Sequence, residues 1–190
     1  MNHSLKSWSL ILLVFALTAA FLTGCGQKES LPTTEASVET VAEPSAEASA
    51  PVLWVGTVQG GFVTYPIEAE GELTPEQLIA ELAALTGWNL DLSEPVTTGK
   101  GGMSVVFTKD CALVAGPPDE QKEEFMVFDH WGLTNMVLDS IQATLQHYFV
   151  LAPGDPSALD IYFNVEMEPI VVEDRVLPID QPWDSESFFS

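Results

Sequence analysis

The sequence predicts an α+β fold: two helices packed on one face of a mostly antiparallel sheet built from hairpins, in a single domain. Three observations predict it. Apolar residues recur at helical spacing in only two stretches, between Thr74 and Gly87 and from Asp129 or Thr134 to about Tyr148. The β-rich runs come in pairs around short turns such as Gly60-Gly61 and Glu173-Asp174. Once a leader and a polar stretch are set aside, about 140 residues remain, the usual size of one domain with its own core.

The leader comes first. A short polar start with Lys6 precedes the apolar run from Leu10 to Leu17, and small residues and a cysteine follow. That order describes a secretory signal peptide over residues 1–24. The run is short for the roughly 20 residues a membrane span needs. The stretch Leu22-Thr23-Gly24-Cys25 is similar to the bacterial lipobox. The resemblance implies cleavage before Cys25 and a diacylglycerol on its thiol, so the chain is expected on the extracytoplasmic face of a cell membrane, held by acyl chains. Two chains suffice for stable anchoring.

Residues 25–50 are expected as the lipidated cysteine and a disordered acidic tether, rich in Glu, Ser, Ala, Thr and Pro, with no aromatic residue and no periodic apolar face. A flexible coil of that length spans roughly 25–30 Å. The folded region is expected over 51–180, with 181–190 as a C-terminal tail. From Pro51 onward 4 basic residues face 23 acidic ones, a net charge of −19. Such a surface is expected to repel nucleic acid, whose binding needs Lys and Arg on phosphates, and anionic headgroups as well.

Val52–Val58 and Phe62–Ile67 flank Gly60-Gly61 and read as a hairpin. Thr74-Pro75-Glu76-Gln77 opens the first helix: Thr74 caps, Pro75 suits the first helical position, and Gln77 returns the bond in a capping box. Leu78, Leu82 and Leu85 share a face, and Gly87 stops the helix. Trp88–Leu92 alternates as a short strand. Thr97–Gly102 reads as a loop, without the spacing of a phosphate-binding motif. Met103–Thr108 and Cys111–Ala115 read as a second hairpin about Lys109-Asp110. In the second long helix Leu133, Val137, Ile141, Leu145 and Tyr148 form the apolar stripe. Leu159–Val165 alternates as a strand, and Ile170–Val172 with Arg175–Leu177 makes a last hairpin.

The candidate chemistry is sparse. Cys111 lies in an apolar run and reads as a small buried hydrophobe. Asp129-His130 and His147 are the candidates for hydrolysis or metal binding, but His130 and His147 stand 17 residues apart, roughly 25 Å along one helix. They read instead as helix-start and helix-end residues. The sequence carries no nucleophile-elbow, zinc-protease or calcium-loop motif, so no catalytic residue, metal or cofactor is assigned. An envelope hydrolase using His130 or paired carboxylates is the alternative.

In this order, the elements resemble the GerMN domain of bacterial sporulation and spore-germination lipoproteins over roughly 52–178. The residues that carry the likeness are Thr74–Gly87, Met103–Ala115, the helix Val137–Leu145 and the closing strand Leu159–Val165. In place of the family's tight turn after that strand, Glu166-Met167-Glu168-Pro169 follows. The resemblance implies a non-catalytic envelope domain that assembles with a protein partner or with itself. It transfers no site residue beyond Cys25, the lipid attachment point.

Overall fold

The computed structural model describes residues 50–99, 101–150 and 153–184 of the 190-residue chain. The expected signal peptide, Cys25 and the tether as far as residue 49 lie outside the described residues. The described residues from 50 to 184 belong to one compact unit of α+β class. In order, its elements are β1 (Val52–Gly56), β2 (Phe62–Pro66), α1 (Pro75–Thr86), β3 (Thr97–Gly99), β4 (Gly102–Phe107), α2 (Ala112–Ala115), α3 (His130–Phe149), β5 (Asp160–Val165), β6 (Ile170–Val172) and β7 (Arg175–Leu177).

The locally signalled elements form as their residues dictate. In α1 the Thr74 hydroxyl accepts the Gln77 N–H while the Gln77 side chain accepts the Thr74 N–H, which completes the capping box. Gly87 ends the helix in a left-handed conformation, φ 84°, that a residue with a Cβ adopts at a cost. Asp129, not Thr134, caps α3, accepting the Gly132 N–H at 2.6 Å. β1–β2 and β6–β7 are antiparallel hairpins. After β5 the chain reverses at Glu166-Met167, both with positive φ, and Val165 and Glu168 exchange N–H···O bonds at 3.0 and 2.9 Å. Two successive positive φ values are the geometry of a primed hairpin turn.

Trp88–Leu92, expected as a short strand, is strand-like only at the isolated bridge from Leu92 to Phe107. Three further segments differ from the sequence reading, each for a tertiary reason. Cys111–Ala115 was expected as a strand beside Met103–Thr108. Ala112–Ala115 is instead a short helix, because both edges of β4 are taken: β3 and the Leu92 bridge hold one, and β5 pairs with the other in parallel. Excluded from the sheet, the segment turns, and the Ala112 N–H bonds to the Asn89 carbonyl at 2.8 Å. The expected loop at Thr97–Gly102 is a tight hairpin, with Gly99 paired to Gly102. Among the described strand pairs, β4–β5 is the parallel one, and the crossover between them carries α2 and α3. The third segment is 181–184, expected as tail. Trp183 is 4% exposed and belongs to the core.

One apolar core runs through the unit. It joins Leu78, Ile79 and Leu82 of α1 and Val105 and Phe107 of β4 with Leu133, Val137, Ile141 and Leu145 of α3 and Ile161 and Phe163 of β5. Helix α3 is its axis. It also completes β1, whose edge away from β2 faces the helix: the Gly56 N–H donates to Ser140 Oγ and the Trp54 N–H to Thr144 Oγ1, each at 2.9 Å. Ser140 and Thr144, four residues apart, share a helix face and are fully buried. They satisfy backbone donors that would otherwise be stranded in the core. This seam sets the position of Trp54.

Candidate functional site

The residues flagged from sequence are not brought together. His130 is half-buried, with Nε2 2.8 Å from the Leu113 carbonyl oxygen. A carbonyl only accepts, so Nε2 carries the proton and the imidazole ties α2 to the start of α3. The Asp129 carboxylate is directed to the Gly132 N–H, not to the imidazole. Cys111 is fully buried, and burial pushes its thiol above the ordinary value, away from the reactive thiolate. His147 lies near the far end of α3, 17 residues on from His130. Among the described residues no three His, Cys, Asp or Glu side chains are grouped to hold a metal ion.

What the fold does assemble lies around His147. Its ring stacks on the Trp54 indole, with centroids 4.0 Å apart and planes 11° from parallel, and Phe62 meets the same indole edge-on at 6.0 Å. Beside them opens a cleft of about 540 Å³, bounded by β1, the segment Gly71–Leu73 and the last turn of α3. Such a volume lies within the ordinary range of small-molecule sites. Its walls are Val52, Trp54, Leu73, His147, Tyr148 and Phe149, with the exposed carboxylate of Glu72 on the lining. Tyr148 is fixed by its hydroxyl, which accepts the Leu73 N–H at 2.7 Å, and its ring meets Phe149 edge-on at 5.0 Å. Trp54 is fixed through its backbone by Thr144. Its indole Nε1 is buried and has no hydrogen-bond partner among the described residues. Among the described residues no Lys or Arg lines the cleft.

A second hollow, about 510 Å³, lies between α1 and the Leu90–Pro95 segment. Its Glu76 is engaged: the carboxylate accepts the Val96 N–H at 2.7 Å, and backbone and Thr74 hydrogen bonds outweigh the cost of burial and hold its carboxyl below the usual value. That hollow is a structural join.

Two residues of consequence escaped the sequence reading. Trp183 donates its indole N–H to Asp139 Oδ1 at 2.7 Å, its backbone N–H to the Ile161 carbonyl at 2.7 Å, and its carbonyl accepts from the Gln142 amide. A lone Trp in a polar terminal stretch was the signal available. Trp54 lies within the first hairpin read from the sequence, and nothing local paired it with His147, 93 positions on. Among the described residues no helix is long and apolar enough to cross a membrane. No protein-family model, curated protein or solved structure matches this chain, so its function is read from its own residues and geometry.

Proposed function

We propose that the chain is a lipid-anchored, non-catalytic interaction module of the bacterial cell envelope, displayed on the extracytoplasmic face through acyl chains on Cys25. The lipobox-like Leu22-Thr23-Gly24-Cys25 and the acidic tether support the location. The GerMN-like order of elements supports assembly with an envelope protein or with a second copy, in a sporulation- or germination-related setting.

The observation that carries the interaction reading is the asymmetry of the first hairpin. The outer edge of β1 is closed by Ser140 and Thr144, whereas β2 lies at the border of a two-stranded sheet with Phe62 and Val63 each 46% exposed. An open strand edge with apolar side chains offers both backbone hydrogen bonds and side-chain contact to an extended partner. Charged residues that would blunt it are missing from Phe62-Val63-Thr64-Tyr65-Pro66.

The test has two parts. Mass spectrometry of the mature chain should find an N-terminal Cys25 bearing diacylglycerol, and Cys25→Ala should abolish it; a chain that keeps its leader sinks the anchor. A photo-crosslinker at exposed Thr64 in the anchored chain should give a discrete adduct, to itself or to one envelope protein. The same probe at exposed Glu81 on α1 is the control. Equal labelling from both sites sinks the interaction reading.

A further inference from the structure

We infer that the cleft between β1 and the last turn of α3 binds a small ligand carrying an alkylammonium group. This inference stands apart from the interaction reading, since it concerns a small molecule in the cleft beside β1 and α3 and not the outer backbone edge of β2.

The lining sets the chemistry. Trp54, Tyr148 and Phe149 supply aromatic rings to a cleft of about 540 Å³, and the faces of such rings carry negative potential that attracts a cation placed over them. Glu72 adds a full negative charge, and among the described residues of the lining no Lys or Arg opposes it. The wider field has the same sign, because the region from Pro51 onward carries 23 acidic against 4 basic residues. An anion entering the cleft is repelled by both near and distant charge. A neutral apolar ligand gains from Val52 and Leu73 but nothing from Glu72. An ammonium with a short apolar body gains from all of them.

The walls are also held in place before any ligand arrives. Tyr148 is tied to the Leu73 N–H, Trp54 to Thr144 by its backbone and to His147 by stacking. Rings fixed by the protein lose little freedom on binding, which favours affinity. The cleft further includes Ala50 and Pro51, where the chain arrives from Cys25, 25 residues earlier. An ammonium could therefore reach it as a free solute or as a lipid headgroup, and the experiment separates the two.

The full lipoprotein, labelled with 5-fluorotryptophan, is placed in phosphatidylglycerol nanodiscs, and the Trp54 fluorine signal is assigned by its loss in Trp54→Phe. Choline is titrated against 3,3-dimethylbutanol, which has the same shape without the charge. The expected result is a saturable Trp54 shift with choline, about tenfold tighter than with the alcohol. Glu72→Gln, at an exposed position that leaves the fold intact, should weaken choline several-fold and leave the alcohol unchanged. Discs that also contain phosphatidylcholine identify the source. A signal already shifted and deaf to added choline marks a headgroup ligand; an unshifted, responsive one marks a free solute. Equal affinity for the alcohol, no saturable shift, or indifference to Glu72→Gln overturns the inference.

Discussion

The first four turns of α3, about 15 residues, and its last turn meet different surroundings. From Asp129 to Thr144 almost every polar group has a protein partner: Asp129 with Gly132, His130 with Leu113, Asp139 with Trp183, Ser140 and Thr144 with β1. At His147, Tyr148 and Phe149 the helix instead turns aromatic surface toward a cleft. The two histidines show the contrast in one residue type. His130 is a half-buried tie between α2 and α3, and His147 is an exposed ring laid on Trp54. Stability resides along the bonded stretch, and ligand access at the open turn. Substitutions can test that division, and the greatest effect is expected where the bonding is densest.

Trp183→Ala is the heaviest blow. It removes a large buried side chain and leaves the Asp139 carboxylate, itself mostly buried, without its indole donor. Loss of about 3–5 kcal/mol is expected from the cavity alone. Thermal unfolding of the full chain should show a fall in Tm well beyond that of any substitution at the cleft. A change no larger than that of His147→Ala would mean that the terminal segment only rests on the core.

Gly132→Ala should come next. A Cβ there would lie 2.9 Å from Asp129 Oδ2 and 3.2 Å from Val127 Cγ1, so the cap must move. The expected loss is about 1–2 kcal/mol, the range for losing an N-cap. Asp129→Ala should cost a similar amount, and the double variant little more than either, since both act on one contact. Additive losses in urea titration would separate the glycine from the cap.

How much of this was legible depends on the reach of each signal. The capping box at Thr74 and Gln77, the stop at Gly87 and the turns of the first and last hairpins act within a few residues, and the structure has them where the sequence puts them. Cys111–Ala115 is too short and evenly apolar for its period to decide between strand and helix, and the occupancy of both β4 edges decided it. The parallel pairing of β4 with β5, and the meeting of Trp54 with His147, join positions more than 50 apart, which no local pattern encodes. The cleft was invisible for that reason, although each of its aromatic residues was in plain view.

Asp139 gives a pH-dependent measure of the bonded stretch. Burial raises its carboxyl above the ordinary carboxylate value, and the Trp183 N–H offsets part of that. The folded state therefore holds the proton more tightly than the unfolded one. Its contribution is fully present below the ordinary value and is lost as pH rises through the raised one. Asp139→Asn keeps an oxygen for Trp183 and has no charge to desolvate. It should gain stability at neutral pH and lack the loss of stability that the wild type shows as pH rises from below the ordinary carboxylate value through the raised one. An unchanged pH profile in the variant would show that another group is responsible.

The smallest stability effect is expected at His147→Ala, and its smallness is informative. The ring is exposed and lies stacked on the Trp54 face, so removing it should cost roughly 0.5–1 kcal/mol, the scale of one aromatic pair. Urea titration measures that loss. What should change more is Trp54 itself. Without the imidazole stacked 4.0 Å away, the indole gains an open face, and its fluorescence should become more accessible to a neutral quencher such as acrylamide. His130→Ala should do the opposite: it releases α2 from the helix start at a cost of about 1 kcal/mol, and leaves quenching of Trp54 unchanged. If both variants lose stability equally and neither alters quenching, the two ends of α3 are alike and the open turn is not a separate site. A split response would assign the helix start to the scaffold and the last turn to the cleft.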